Sequence, residues 1–191
     1  ILFFKWRFIL PFLYRPNAVC ILYRRDAPRR VSATVANMEY KKDAPRRVST
    51  GEYKILLVQR IEDPGHWQLP QGGTDGEDIE KAGARELREE LGTDKFRIVM
   101  SYKNLWKYKF GDRIEKYIKT DVIKRKLGHK GQKQSLIIAE FLGKDEDIKI
   151  NFWDHSAWKW VDAKNLINEV HPMRRESNKI FLEKFKGIID K

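Results

Sequence analysis

Three glutamates in one predicted helix have the residue type and spacing that metal-dependent chemistry requires. Glu89 and Glu90 follow Glu86 at three and four residues, so on a helix all three carboxylates share one face. Like charges held this close repel one another, and a bound cation would remove that repulsion. Mg²⁺ prefers carboxylate oxygens and bridges them to substrate phosphates, and Mn²⁺ accepts the same ligands. The pattern predicts a magnesium site; the alternative is an acidic helix face that contacts only water.

Zinc binding and nucleophilic catalysis do not fit the composition. The chain has one cysteine, Cys20, and four scattered histidines, so no set of zinc ligands is expected. No arrangement of Ser, Cys and His suggests a nucleophile, and no covalent intermediate is expected. A lone cysteine also excludes a disulfide framework and favours a reducing compartment, so we expect a cytoplasmic protein.

A helix over Asp78–Leu91 must carry the three carboxylates. Asp78 favours its start, Gly92 is placed to end it, and apolar residues recur at helical spacing between them. Arg85 follows Glu77 by eight residues, about two turns, which predicts an ion pair that braces the preceding loop. The glycines of that loop, which allow a sharp turn and bring backbone carbonyls near the metal, are Gly72, Gly73 and Gly76.

Strand and helix patterns are mixed along the chain and predict an α/β sandwich around one core. The expected strands are Asn17–Tyr23, Tyr53–Arg60, Phe96–Phe110, Ile114–Lys119, Ser135–Leu142 and Trp158–Val161. Asp162 is a candidate N-cap of a short helix that ends near Val170, and Pro172 begins a second helix. The chain of 191 residues suits one domain, which we place at residues 14–187 and expect to be monomeric.

The charge is unevenly distributed and indicates an anionic partner. The net charge of +12 divides into +9 over residues 1–60, −5 over residues 61–100 and +8 over residues 101–191. An acidic segment within a basic chain suits a cation held by carboxylates, with basic surroundings for a polyanion. The basic charge is compatible with nucleic acid, a polyphosphate or a membrane surface as the partner.

Two segments fall outside the expected core. Residues 1–13 form an apolar and basic extension that is too short to span a bilayer, so no stable membrane association is expected. We expect this extension to be an edge segment packed on the domain or sequence upstream of the true start; the alternative is an amphipathic anchor at a membrane surface. A short repeat, DAPRRVS, occurs at Asp26–Ser32 and at Asp43–Ser49, which predicts a duplicated loop insertion over about residues 25–52 of a β-hairpin.

The segment from Gly72 to Gly92 resembles the Nudix box, G-x5-E-x7-R-E-U-x-E-E-x-G-U, in which U is a bulky aliphatic residue. Glu77 is followed, after seven residues, by the run from Arg85 to Gly92 in register with that pattern. The sequence departs from it twice. Four residues rather than five separate Gly72 from Glu77, and Thr93 replaces the final aliphatic residue.

Other segments resemble the branch of Nudix hydrolases that contains RNA pyrophosphohydrolases and diadenosine polyphosphate hydrolases. They are Tyr14–Asn17, Trp67–Gly73, Gly131–Gln134 and Trp158–Val161. The resemblance implies an α/β/α sandwich with a mixed sheet, a catalytic loop–helix–loop, and hydrolysis of a phosphoanhydride bond. The leading substrate is a 5′-triphosphorylated RNA end. The alternatives are a diadenosine polyphosphate and a domain that binds RNA without catalysis.

The resemblance also implies roles for individual residues. Mg²⁺ is expected on Glu86, Glu89 and Glu90, with the carbonyl of Gly72 nearby. Either Glu89 or Asp154 is expected to take the proton of the attacking water, while Glu77 and Arg85 have a structural role. The expected substrate-binding residues are Arg15, Arg60, Gln132, Lys133, Gln134, Arg174 and Arg175, of which the last two adjoin Met173 in a patch that meets the first bases of RNA.

Overall fold

The structure is a computed structural model that describes residues 13–25, 53–109, 129–150 and 153–190. The strands in these ranges are β1 (Leu13–Arg25), β2 (Tyr53–Arg60), β3 (Trp67–Gln68), β4 (Gln71–Gly73), β5 (Phe96–Lys109), β6 (His129–Phe141) and β7 (His155–Asp162). The helices are α1 (Ile79–Leu91), α2 (Leu166–Glu169) and α3 (Arg175–Ile189), and single 3-10 turns lie at Asp145–Asp147, Ala163–Asn165 and Pro172–Arg174.

All the described strands belong to one mixed sheet. Its order is β3–β2–β1–β6–β5, with β4 paired to β1 and β7 paired to β2. Strand β1 runs parallel to β6 and antiparallel to β2 and β4. The central strand therefore meets three others, and its first half lies beside the glycine-rich segment that leads to α1.

Side chains of β1 alternate between two apolar cores because successive residues of a strand point to opposite faces. Leu22 belongs to one buried cluster together with Leu87 of α1. Ile21 belongs to the other, together with Phe181 of α3. Helices thus cover both faces of the sheet, which confirms the predicted α/β/α sandwich and explains the continuous apolar run of this strand.

Helix α1 has the predicted ends. The carboxylate of Asp78 accepts a hydrogen bond from the backbone N–H of Glu80, and Gly92 closes the helix in the left-handed conformation, with a φ of 60°. Gly83 faces the sheet, where a Cβ would lie 2.5 Å from Cγ1 of Ile137. The helix therefore packs closely on the strands, and this close packing fixes the position of its carboxylates.

Several elements differ from those expected. Strand β1 extends beyond the expected Asn17–Tyr23 at both ends, and β3 and β4 were not predicted because each has only two or three residues. Asp162 precedes a 3-10 turn without capping it, since its carboxylate accepts a hydrogen bond from Nζ of Lys54 at 2.7 Å.

Three sequence-based expectations lie outside the described residues: the N-terminal extension, the duplicated loop and the strand Ile114–Lys119. The hairpin that would hold the loop is present, because β1 and β2 pair up to Arg25 and Tyr53. Within the described ranges, no helix is long and apolar enough to cross a membrane.

Candidate active site

A cavity of about 380 Å³ lies where β4 and α1 meet the ends of β1 and β2. Its acidic lining residues include Glu86, Glu89, Glu90 and Asp154. Its basic lining residues include Arg15, Arg60 and Arg174. The structure therefore brings the predicted carboxylates together with three of the predicted substrate-binding arginines.

Two of the three helical carboxylates are withdrawn from solvent. Glu86 is 7% exposed and Glu90 is 8% exposed, whereas the side chain of Glu89 is 56% exposed. Burial raises the pKa of Glu86, and it raises the pKa of Glu90 further, with the charge of Glu86 as the next cause. The chain thus holds two acidic groups where their ionised forms are costly.

Arg85 joins the helix to the glycine-rich loop. Its Nε donates to Glu77 at 2.8 Å, which is the predicted ion pair, and Nη2 donates to the carbonyl of Gly73 at 2.7 Å. One nitrogen, Nη1, also donates to Glu86 at 2.7 Å and to Glu89 at 3.0 Å. These contacts raise the pKa of Arg85, and they hold the shortened loop against the helix.

Gly72 is required by the carboxylate of Glu86. A Cβ at Gly72 would overlap that carboxylate, so only glycine leaves the space that Glu86 occupies. The next residue has a similar constraint, because a Cβ at Gly73 would overlap the guanidinium of Arg15. The sequence predicts a contact between the carbonyl of Gly72 and a metal ion; the structure adds that Gly72 leaves room for the carboxylate of Glu86.

The carboxylate of Glu90 is oriented by the backbone of Gln71, whose N–H donates to Oε2 at 3.2 Å. The side chain of Gln71 is held on both sides. It accepts a hydrogen bond from Nε2 of Gln134 and donates one to Oε1 of Gln68, each at 3.1 Å. Gln134 is 1% exposed and does not line the cavity, so its expected contact with phosphates is corrected to a contact with Gln71.

Among the described arginines and lysines, Arg174 is the one most withdrawn from water, at 9% exposed. Its Nη1 donates to the hydroxyl of Tyr108 at 3.3 Å, and that hydroxyl donates to Oε1 of Gln132 at 2.7 Å. This series of hydrogen bonds connects Arg174 and Gln132, two of the predicted substrate-binding residues. Lys133 and the exposed Arg175 do not line the cavity, and the contacts expected of Lys133 with phosphates and of Arg175 with the first bases of RNA stay predictions.

Asp154 lines the cavity immediately before β7. Its charge is a smaller contribution to the raised pKa of Glu90, after burial and the charge of Glu86. The next residue, His155, was not predicted: it is buried, and its Nε2 lies 3.9 Å from Oε1 of Glu90. Burial lowers the pKa of His155, so it does not supply a cation to Glu90 at neutral pH.

Comparison with known proteins identifies the family. The sequence pattern described as the NUDIX domain matches residues 44–185, which is well over half of the chain. The chain belongs to the NUDIX family. The matched range begins after β1, although β1 is the central strand and carries Arg15.

The chain is similar to proteins named RNA pyrophosphohydrolase. One from Orientia tsutsugamushi (strain Boryong) is 38% identical over 136 residues, which are 69% of this chain and 81% of the relative. Another, from Wolbachia pipientis subsp. Culex pipiens (strain wPip), is 34% identical over 139 residues, which are 71% of this chain and 82% of the relative.

Solved structures share the fold. An Ap4A hydrolase from C. elegans in a binary complex superposes with a TM-score of 0.57 at 20% identity, covering 92% of this chain and 97% of that chain. The Nudix hydrolase RenU from M. smegmatis gives a TM-score of 0.56 at 14% identity, covering 93% and 87%. At such identities the likeness shows the Nudix fold alone.

The donor set of the Nudix helix fits a hard divalent cation. Its ligands are carboxylate oxygens, which Mg²⁺ and Mn²⁺ prefer. In the part of the chain that the structure describes, one guanidinium, that of Arg85, bonds both Glu86 and Glu89, and Glu90 accepts a hydrogen bond from the neutral backbone amide of Gln71. A buried carboxylate without a bonded cation favours metal binding at this position.

A second group of possible ligands, Asp63, His66 and His171, has atoms within 4.8 Å of one another. The rings of the two histidines stack at 4.1 Å with an interplanar angle of 5°. A lone pair on an imidazole nitrogen lies in the ring plane, so two parallel planes offer no shared position for an ion. Nδ1 of His66 instead bonds Asp63 at 2.9 Å, and the stack ties the turn after β2 to the segment before Arg174.

Proposed function

We propose that this Nudix domain hydrolyses a phosphoanhydride bond with a divalent cation, Mg²⁺ first, and that its substrate is the 5′-triphosphorylated end of RNA. The product is a 5′-monophosphate end. The observation that carries the proposal is the meeting of Glu86 and Glu90, both buried, with Arg15, Arg60 and Arg174 around one cavity. Buried carboxylates suit a cation, and arginines suit the phosphates that the cation would bridge.

The metal would be held by Glu86, Glu89 and Glu90, with the carbonyl of Gly72 as a further oxygen. When bound, Mg²⁺ supplies charge neutralisation on the phosphates and acidifies a coordinated water. Hydrogen bonds within the protein hold these carboxylates in place. Arg85 holds Glu86 and Glu89, and the backbone of Gln71 holds Glu90.

A carboxylate beside the metal would accept the proton of the attacking water. Glu89 and Asp154 both line the cavity and are the two candidates. Glu89 is the more accessible member of the helical set, which suits proton exchange with solvent. Asp154 lies on the other side of Glu90, at the start of β7, and would serve if water bridges the gap that its shorter side chain leaves.

The arginines would bind and orient the polyphosphate. Arg174 lines the cavity while it is largely buried, so its guanidinium would meet a phosphate with little competition from water. Arg60 lies 3.3 Å from Glu62, and Arg15 lies 3.9 Å from Asp75, so both have only loose, exposed carboxylate partners to exchange for phosphate. Charge that develops on the phosphate oxygens would be stabilised by these side chains.

The choice of RNA rests on similarity to proteins named RNA pyrophosphohydrolase at 34–38% identity. The basic surplus outside the acidic segment is compatible with a longer polyanion. A dinucleoside polyphosphate is the second candidate substrate, because a polyphosphate between two nucleosides presents the same chemistry to the cavity.

One assay ranks these possibilities. The protein is incubated with 5′-triphosphorylated RNA and with diadenosine tetraphosphate, each with Mg²⁺ and with Mg²⁺ plus excess EDTA. We expect a monophosphate RNA end, formed faster than the dinucleotide is cleaved, and no reaction with EDTA. Faster cleavage of the dinucleotide would reverse the substrate order. RNA binding without turnover of either compound would make the domain a binding module and refute the enzyme proposal.

A further inference from the structure

The cavity offers little surface to the nucleobase of a nucleotide substrate. Among its described lining residues, Ile61 is the one large aliphatic side chain, and the others are charged, amide, glycine or histidine residues. A nucleobase is an aromatic ring that proteins hold by stacking it on aromatic or apolar side chains. The polar cavity therefore suits the phosphates, and the base must be held at its rim.

Three exposed apolar residues line the cavity or are adjacent in sequence to a residue that does. The large apolar residues that are exposed in the described ranges are Ile61, Met100, Leu142, Trp153 and Met173. Ile61 lines the cavity, and two others directly precede lining residues: Trp153 precedes Asp154, and Met173 precedes Arg174. Trp153 is 87% exposed, the highest fraction of the five. A tryptophan so exposed beside a polar cavity is a ready surface for a planar ring.

The turn that carries Trp153 is fixed to the end of β2. The backbone N–H of Ile61 donates to the carbonyl of Asp154 at 3.0 Å, and the adjacent Arg60 pairs with His155 at the start of β7. Trp153 and Ile61 therefore lie on the β7 side of the cavity, next to the candidate base Asp154.

Met173 lies on the other side of β2. Gln59 pairs with Trp67 of β3, and the carbonyl of Trp67 accepts a hydrogen bond from the backbone N–H of His171 at 2.9 Å. Because β2 lies between β7 and β3, the segments that carry Trp153 and Met173 are attached to opposite sides of β2. The two residues can thus be tested separately.

We propose that Trp153, with Ile61 beside it, is a stacking platform for the nucleobase of the nucleoside whose 5′ phosphates occupy the cavity. This role rests on the proposed function, since it names the site that takes the base of the same substrate. Stacking on Trp153 would hold the nucleoside on the side of Asp154. It would bind the substrate without entering the chemical step.

The test is a thermodynamic cycle in which the indole of Trp153 and the first base of the RNA are removed separately and together. Wild type and Trp153→Ala are compared on a short 5′-triphosphorylated RNA and on the same RNA with an abasic first nucleotide. The dissociation constant is measured with EDTA, and kcat/KM is measured with Mg²⁺. For wild type, loss of the first base should weaken binding about 5- to 150-fold. For Trp153→Ala, whose binding is already weakened, the abasic change should have almost no further effect.

Two matched variants sharpen the test. Trp153→Phe keeps an aromatic face and should retain most of the binding, whereas Leu142→Ala, which removes an exposed apolar residue at the end of β6, should change nothing. An undiminished abasic penalty in Trp153→Ala overturns the inference, as does a penalty that disappears in Met173→Ala instead. If the abasic penalty on binding disappears in Trp153→Ala but no protein cleaves RNA, the enzyme function is refuted and the stacking role of Trp153 is supported. If RNA is cleaved but the abasic penalty is the same in wild type and Trp153→Ala, only the stacking role of Trp153 is refuted.

Discussion

The side-chain amide of Gln134 donates a hydrogen bond to Oε1 of Gln71 over 3.1 Å, deep in the wall of the Nudix site. Gln71 in turn orients Glu90 through its backbone N–H. A residue on β6 thereby acts on a carboxylate that we propose binds the metal, without lining the cavity. Gln134 is a positioning residue in this arrangement.

Replacement of Gln134 by Ala should raise the Mg²⁺ concentration that gives half-maximal activity. Loss of an outer hydrogen-bond partner of a metal ligand costs about 10- to 100-fold in metal affinity or activity. Activity is measured as a function of Mg²⁺ at fixed RNA concentration. Gln59→Ala is the matched control, because Gln59 bonds Ser156 on the surface. A higher KM for RNA with an unchanged Mg²⁺ dependence would restore the expected direct contact of Gln134 with phosphate.

A methyl group at Gly72 should damage metal binding more than folding. The new Cβ would overlap the end of the Glu86 side chain and displace its carboxylate from its position beside Arg85. We expect Gly72→Ala to weaken Mg²⁺ binding in titration calorimetry by at least 10-fold, with a cooperative thermal transition retained. Gly187→Ala is the control, since a Cβ there meets nothing within 4 Å. Equal Mg²⁺ affinity in Gly72→Ala would show that Glu86 does not hold the metal.

Replacement of Glu90 by Gln should stabilise the metal-free protein at neutral pH. Burial raises the pKa of Glu90 in the folded state, so folding binds a proton and stability falls as pH rises above the unfolded value of about 4.5. The amide is neutral at every pH and can still accept the hydrogen bond from Gln71. In EDTA at pH 7.5, Tm should rise by about 2–4 °C for each kcal/mol gained.

The difference in Tm between Glu90→Gln and wild type should shrink as pH falls towards 4.5, because the wild-type carboxyl is then protonated in both states. Saturating Mg²⁺ should reverse the order of stability, since only wild type gains binding energy. A variant less stable than wild type in EDTA at pH 7.5 would contradict the burial cost assigned to Glu90.

Protonation of His66 on unfolding should lower the stability of the protein under mildly acidic conditions. Burial lowers the pKa of His66 in the folded state, so the unfolded chain binds the proton first, and stability decreases as pH drops below about 6.5. The unfolding free energy of wild type and His66→Gln is compared from pH 7.5 to 5 in urea. The difference in unfolding free energy between wild type and His66→Gln should become smaller as pH falls. The lowered pKa of Asp63, caused chiefly by its bond to His66, acts below this window. A constant difference would show that His66 does not titrate on unfolding.

The sequence predicts features that depend on contacts between residues close to one another along the chain. Helix α1, its N-cap Asp78 and the ion pair between Arg85 and Glu77 follow from spacing along one helix and its loop, and all three are present. The α/β/α sandwich follows from the mixed strand and helix patterns, and β1 is apolar throughout because helices cover both of its faces.

Features that depend on tertiary contacts could not be predicted in the same way. Gln134 follows a basic residue in a polar run, and nothing in that run indicates that its side chain is buried against Gln71. The burial of Arg174 depends on Tyr108, which lies 66 residues earlier in the chain. His155 carries a weak signal, its position next to Asp154, but its contact with Glu90 depends on the pairing of β7 with β2.

The most direct measurement is the Mg²⁺-dependent conversion of 5′-triphosphorylated RNA to its 5′-monophosphate form by wild type and by Glu90→Gln. Both proteins are brought to the same concentration and checked for a cooperative thermal transition. The account predicts conversion by wild type that EDTA abolishes, and a loss of at least 100-fold in Glu90→Gln at saturating Mg²⁺, since a buried metal ligand is removed. Undiminished conversion by Glu90→Gln, or conversion by wild type in excess EDTA, would contradict it.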